Sequence, residues 1–507
     1  MTPTSNSTAE ETRQSFLPKP DKDVAQKPPA SFSTLYQSPP TLNPLNQKAT
    51  TFPLLKPIDQ YGRTFHHSWL GFFVAFLAWF AFPPLLHGTI NVDLKLTPKQ
   101  ISNSNIVGLI STLFIRILIG PVCDRYGPRK AMIFCLLAGA IPTAFVPLVD
   151  SYRKLLTVRL FVGILGGTFV PCQAWLGQFY ENNIIGRVNA LAAGWGNAGG
   201  GATFFLMPAL VIALQKYGNF SLHRAWTLSF VVGPLPIILI VALMTLLFGQ
   251  DCPQGKWSDR HRQTNSKKPT DWKTTLSVIF SPYTLLTAIP YASTFGAEIA
   301  VEGYLSGFYL QVARHWTEET AGRWASLFGL LNIVTRPMGG YLADVIYKKS
   351  NYSLLSKKYW MLTCGVLQGA FFVIIGLTPA TIVSLLILTT FLAIFMEMGN
   401  GANFALVPHL SPEHTGVVSG TTGASGNLGG MLIDFLIFRQ NARGKDGHDS
   451  QLKQYLTSYS QIGVAVIVLN LICVAIPLQK EKKTTNDEAR VAHGENNDEK
   501  DGAKSIV

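Results

Sequence analysis

Charge is scarce in this sequence. Only 14% of its 507 residues are Asp, Glu, Lys or Arg, where a soluble protein of this size carries roughly a quarter. That scarcity, with 48% apolar residues and a mean hydropathy of +0.23, excludes an ordinary water-soluble fold. Cysteine is also sparse. Of the six, Cys123, Cys135, Cys172, Cys364 and Cys473 fall in or at the end of apolar stretches, and Cys252 lies in a central polar one. No disulfide framework follows from that placement, and no metal-ligand spacing is present. A phosphate-cradling loop and a nucleophile–base set are missing too, which argues against an enzyme and leaves no cofactor expected. Acidic residues are outnumbered, and the net charge is +13. The basic residues sit in loops and flanks, so positive loops beside a bilayer explain them better than nucleic-acid binding does.

Long apolar runs are plentiful. Twelve recur, at about 68–91, 104–121, 130–149, 154–179, 187–215, 222–248, 281–310, 320–346, 358–377, 381–408, 412–437 and 456–477, each near the length that spans a bilayer core. The expected fold is an all-α polytopic membrane protein with twelve transmembrane helices in two pseudo-symmetric six-helix bundles. The expected divisions are a disordered tail at 1–65, a first bundle at 66–248, a central loop at 249–275, a second bundle at 276–478 and a disordered tail at 479–507. No cleavable signal peptide is expected at the start. Lys256, Arg260, Arg262, Lys267, Lys268 and Lys273 in the central loop place that side in the cytosol. Lys348, Lys349, Lys357 and Lys358 in a loop at 347–358, and Arg125, Arg129 and Lys130 in a turn at 122–130, agree. Both termini then face the cytosol. Arg439, Arg443 and Lys445 after the eleventh run oppose the pattern.

The halves repeat in register. Arg116, Gly120 and Asp124 in the second run return as Arg336, Gly340 and Asp344 in the eighth. AGWGNAGGG at 193–201 in the fifth returns as GASGNLGG at 423–430 in the eleventh. Two motifs at equivalent positions indicate a duplicated fold, the architecture of many secondary transporters. Arg, Gly and Asp at intervals of four share one helical stripe, and eight residues span about 12 Å. With each Asp at the cytosolic end, both arginines fall near the midplane, where an unpaired guanidinium costs ~2.5–3.5 kcal/mol on insertion scales. Two such groups facing each other repel unless an anion lies between them, and their flat donor forks suit a planar oxyanion. The competing reading pairs each arginine with a buried carboxylate or with helix carbonyls. Gly196 and Gly426 serve close helix packing or the anion path, and Asn197 and Asn427 need hydrogen bonds in lipid. Asp124 with Arg125, Arg129 and Lys130 forms an expected gating ion network, with Asp344 its partner in the second half.

GPVCDRYGPRK at 120–130 resembles the loop signature of the major facilitator superfamily, and its second copy, GYLADVIYKK at 340–349, is degenerate. The paired glycine–asparagine motifs with both arginines resemble the nitrate/nitrite porter family, in its eukaryotic, yeast-like high-affinity branch. The resemblance spans roughly 66–478. It implies a nitrate site between Arg116 and Arg336 with Tyr291 of PYASTFGAE beside it, and Phe80, Phe82, Phe169 and Phe404 as candidate covers. Nitrate, nitrite, protons and the plasma-membrane bilayer are the implied partners, and an accessory subunit is an open matter. Importing one anion against about 100 mV costs roughly 2.3 kcal/mol, so a proton-binding carboxylate is expected. Glu298, near Glu302 in the seventh run, resembles the acidic residue of proton-coupled members. Glu397 is the alternative, and either could be structural. His87 reads as interfacial. A nitrate/nitrite exchanger needs no such carboxylate, and a nitrate sensor needs a longer cytosolic extension. Ser258, Thr264, Ser266 and Thr270 are possible phosphorylation sites, and Asn219-Phe220-Ser221 is a sequon.

Overall fold

The computed structural model describes residues 40–44, 46–52, 59–257, 272–411, 415–438 and 448–478. Twelve helical segments cross in series. The first half holds α1 (Gln60–Leu85), α2 (Pro98–Tyr126), α3 (Pro128–Ala144), α4 (Tyr152–Phe179), α5 (Asn182–Gly218) and α6 (Leu222–Phe248). The second half opens with α7, which is Pro282–Glu302 continued by Leu305–Val312. Next comes α8, which is Glu318–Leu330 and Thr335–Lys349 joined by a 3-10 turn. Then follow α9 (Leu354–Leu377), α10 (Ile382–Leu410), α11 (Thr415–Ile433, ending in a π turn) and α12 (His448–Val474).

Nine of these are long and apolar enough to cross a membrane on composition alone, among the described residues. The exceptions are α7, α8 and α11. They carry Glu298, Glu302, Arg336, Asp344 and a glycine–serine–threonine run, so polar function has diluted their hydrophobicity.

Local chemistry sets the ends. Thr97 and Gln100 form a capping box at the start of α2, with Pro98 at its first position. Ser281 caps α7, with Pro282 following it. Several expectations need correction here. The turn expected at 122–130 is helical: α2 carries Pro121 inside it and runs to Tyr126. Gly127 alone, at φ +95°, separates it from α3; only glycine adopts that backbone freely. α1 begins at Gln60, inside the stretch read as tail, because Asp59 accepts from the Tyr61 and Gly62 amides. Ahead of it, Ala49 bonds the carbonyl of Phe179 and the amide of Glu181. The helix Trp272–Ile279 occupies the end of the expected central loop.

Lys357 and Lys358, read as loop charges, are buried in α9. Lys357 Nζ donates to Asp344 Oδ1 at 2.8 Å, and Lys358 Nζ donates to the Val474 and Ile476 carbonyls. Arg439, Arg443, Lys445, Ser258, Thr264, Ser266, Thr270 and the side chain of His87 lie outside the described residues.

The halves meet through α2 against α11 and α5 against α8 and α10. On the face that carries the linker, a Cβ at Gly120 would lie 3.2 Å from the Gly416 carbonyl, and one at Gly416 2.8 Å from Asp124. Toward the opposite face, a Cβ at Gly201 would lie 2.6 Å from the backbone of Gly329. Contact at both ends encloses the centre.

Candidate anion site at the centre of the two halves

Both repeated arginines point inward and are fully buried. Arg116 reaches from α2 across to both halves. Its Nε donates to the Gly166 carbonyl of α4 at 2.9 Å, and its Nη1 donates to the Gly423 carbonyl of α11 at 2.7 Å. The Gly166 acceptor exists because α4 tightens into a 3-10 segment at Gly163–Thr168. A Cβ on Gly166 would lie 2.4 Å from Thr112, so the close approach of α2 requires glycine there. Arg336 extends from α8, where its Nη2 donates to the Tyr291 hydroxyl at 2.7 Å and its Nη1 to Asn332 Oδ1 at 3.4 Å.

Neither guanidinium forms an ion pair among the described residues. Arg116 Nη2 and Arg336 Nε are buried with no hydrogen-bond acceptor. Both guanidinium carbons stand over one ring, Phe295, at 5.4 and 5.6 Å from its centroid. Two permanent cations with spare donors therefore converge on one aromatic wall. That arrangement favours a small anion, since a buried unpaired donor costs about 1–3 kcal/mol and more when charged. The competing reading, in which each arginine is neutralised by a carboxylate, does not describe these contacts. Carbonyls do hold part of Arg116, as that reading also allowed.

The aromatic wall is only partly the expected one. Phe169 lies 5.2 Å from the Arg116 guanidinium, and its ring is near parallel to Tyr291, whereas Phe404 meets both edge-on. Phe80 stacks on Phe76 and Phe82 packs on Phe230, both away from the arginines. Phe295 escaped the sequence reading although it sits one turn from Tyr291 and stacks on it at 5.0 Å.

The glycine–asparagine motifs divide into two roles. A Cβ at Gly196 would lie 1.9 Å from Phe72, and one at Gly426 would lie 2.6 Å from Phe295 and 3.0 Å from Tyr291. These glycines seat aromatic rings of α1 and α7; Gly426 thereby shapes the site and Gly196 packs beside it. Asn427 Nδ2 donates at 3.3 Å to the same Gly423 carbonyl that holds Arg116. Asn197 crosses between halves, donating to Glu298 Oε1 at 2.6 Å.

Glu298 and Glu397 are joined by a residue that no motif signalled. Asn332 Nδ2 donates to Glu298 Oε1 at 2.9 Å and to Glu397 Oε1 at 3.0 Å. Asn400 donates to Glu298 Oε2, and Thr335 donates to Glu397 Oε2. The Asn332 carbonyl oxygen meanwhile faces Arg336, so one amide links the cation to both carboxylates.

The gating residues are rearranged. Arg129 pairs with Asp251 at 3.3 Å and donates to the Thr245 and Leu246 carbonyls, tying α3 to the end of α6 and not to Asp124. Arg125 lies over Tyr126 at 5.2 Å. Asp344, buried between Lys357 and Arg187, does bridge the halves: its Oδ2 stands 4.0 Å from Arg187 Nε of α5.

Comparison with known proteins gives the family. Residues 68–433 match the Major Facilitator Superfamily. The chain is 33% identical to the high affinity nitrate transporter 2.5 of Arabidopsis thaliana over 393 residues, 77% of each protein. It is 31% identical to the nitrate transporter 2.1 of Chlamydomonas reinhardtii over 402 residues, 78% of this chain and 72% of that one. The solved Escherichia coli fucose:proton symporter superposes with a TM-score of 0.58 at 15% identity, covering 82% of this chain and 99% of its own, which bears on the fold alone. From the matched family and these relatives, the chain belongs to the nitrate/nitrite porter family of the major facilitator superfamily, a family of membrane transporters and not of enzymes.

Proposed function

We propose that this protein imports nitrate, and nitrite as a second substrate, across the plasma membrane by proton symport, with both termini in the cytosol. The observation that carries this reading is the pair of buried guanidiniums with spare donors, Arg116 Nη2 and Arg336 Nε, sharing the Phe295 ring. Relatives named as nitrate transporters supply the choice of oxyanion. Nitrate lies between the arginines, accepts their free N–H groups and cancels their mutual repulsion. Phe169, Tyr291 and Phe295 exclude water, so these charge-assisted bonds act in a low-dielectric space.

Protons enter through Glu298. When it is ionised, three side-chain amides stabilise it, and Asn332 transmits its charge state to Arg336. Protonation weakens the hold of the carboxylate on that network and leaves Arg336 available to the anion. The loaded protein then rocks about the central contact to the other face.

The test is voltage-clamped uptake by surface-expressed protein. Arg116→Lys and Arg336→Lys each place a point charge where a fork is needed, and high-affinity nitrate uptake is expected to vanish while surface amount persists. Either variant transporting with near wild-type affinity removes the site from this position. An inward positive current that grows with external acidity separates symport from one-for-one exchange, which moves no net charge.

A further inference from the structure

A second buried arginine site lies outside the central one. Arg159, on α4, is buried and donates to Ser104 Oγ at 2.7 Å and Asn105 Oδ1 at 3.0 Å, both on α2, and its guanidinium stands 5.4 Å from the Phe82 centroid. Across the boundary between halves is Asp434, in the π turn ending α11. Asp434 is buried, and its Oδ1 has no hydrogen-bond partner. The two residues line one space from opposite halves, and no ion pair joins them among the described residues. Between them lies a cavity of about 30 Å³, lined by Phe80, Asn105, Arg159, Ile299, Gly303 and Asp434. That volume holds roughly two waters, and widening of the outer face would enlarge it.

Its position is informative. Ile299 lies one turn beyond Phe295 on α7, and Gly108, two turns beyond Arg116 on α2, also borders the cavity. The cavity therefore sits about 12 Å from Arg116 along α2, on the side away from the linker.

We infer that Arg159 and Asp434 form a staging site for a monovalent oxyanion on its way to the central arginines, and that Asp434 must take up a proton before the anion can lodge beside Arg159. An ionised Asp434 occupies the role of the anion itself, neutralising Arg159 and repelling a second negative charge. A proton arriving from outside removes that competitor, so anion and proton are recruited to one cavity. Among the described residues, the other titratable group facing Asp434 is Tyr304 of α7, which in turn faces Tyr455 of α12. Neither tyrosine carries charge at the pH of uptake, which leaves Asp434 as the switch. This inference rests on the transport reading above and adds to it a site that Glu298 does not supply.

The experiment measures the KM for external nitrate at external pH 5.5 and 7.5, on full-length protein with surface amount quantified. In the wild type the KM is expected to rise several-fold between the two values. Asp434→Asn is expected to hold it at the low, acidic value at both. Arg159→Gln is expected to raise it about tenfold at both, with maximal rate largely kept. Retention of the wild-type pH dependence in Asp434→Asn overturns the inference, as does an unchanged KM in Arg159→Gln. Should Asp434→Asn fail to reach the surface, Arg159→Gln decides alone. Arg336→Lys in the same assay reports on the central site, so the two readings fail separately.

Discussion

At the scale of single residues, the centre is governed by which side chains can accept and which can only donate. Asn197, Asn332 and Asn400 all present amide hydrogens to Glu298. Only a carboxylate offers enough lone pairs for three donors on two oxygens. Glu298→Gln replaces one acceptor by a donor and turns at least one of these contacts repulsive. It also fixes the position in a neutral form. Proton-driven inward current is expected to fall to background, and nitrate-for-nitrate exchange is expected to persist at reduced rate, because the arginine pair is untouched. Isotope exchange under zero voltage, set beside current at pH 5.5, checks both halves of that statement. Current of ordinary size in Glu298→Gln would move the proton role to Glu397, whose Oε1 accepts from the same Asn332 amide.

At the scale of elements, two glycines do related work in helices of opposite halves. Gly196 of α5 makes room for Phe72 of α1, and Gly426 of α11 makes room for Tyr291 and Phe295 of α7. Overpacking a filled site costs typically 1–3 kcal/mol, and at 1.9 Å from a ring carbon the Gly196 position cannot accept a methyl without moving α1. Gly196→Ala is therefore expected to lower the thermal unfolding temperature of the purified protein by several degrees. Gly426→Ala is expected to weaken nitrate affinity first, because the rings it displaces form the site wall. Thermal shift with and without nitrate distinguishes them. The register of Arg116 with Arg336, and of the two glycine–asparagine motifs, was legible in the sequence because duplication leaves a repeat. Asn332 and Asn400 were not legible, since the carboxylates they bind include ones on other helices; Phe295 was not, because one phenylalanine among 31 carries no mark of the arginines that converge on it. The fate of Arg129 was hidden because its partner Asp251 lies far along the chain and comes near only once α3 packs on α6. Lys357 read as a loop charge because helix ends cannot be placed from charge alone.

At the scale of the whole molecule, alternating access requires that closure at each face be cheap to undo. Among the described residues, the linker-side closure includes a charged contact between halves, Arg187 Nε to Asp344 Oδ2 at 4.0 Å, with the Arg187 side chain about one-third exposed. Lys357 independently holds Asp344 at 2.8 Å. Removing Asp344 would strand the buried Lys357 charge and damage folding, whereas Arg187→Ala deletes only the inter-half contact. A pair at 4.0 Å with one partner partly exposed is worth ~0.2–1 kcal/mol, which shifts a two-state balance by at most about fivefold. The shift favours the form open toward the linker, so fewer molecules present a site to the outside. The KM for external nitrate is then expected to rise by up to about fivefold in Arg187→Ala, because apparent affinity scales with the competent fraction. With the linker in the cytosol, as proposed, raising salt in the bath is expected to leave this difference in place. An unchanged KM, measured at matched surface amount, would mean that the apposition of Gly120 and Gly416 closes this face without help from Arg187.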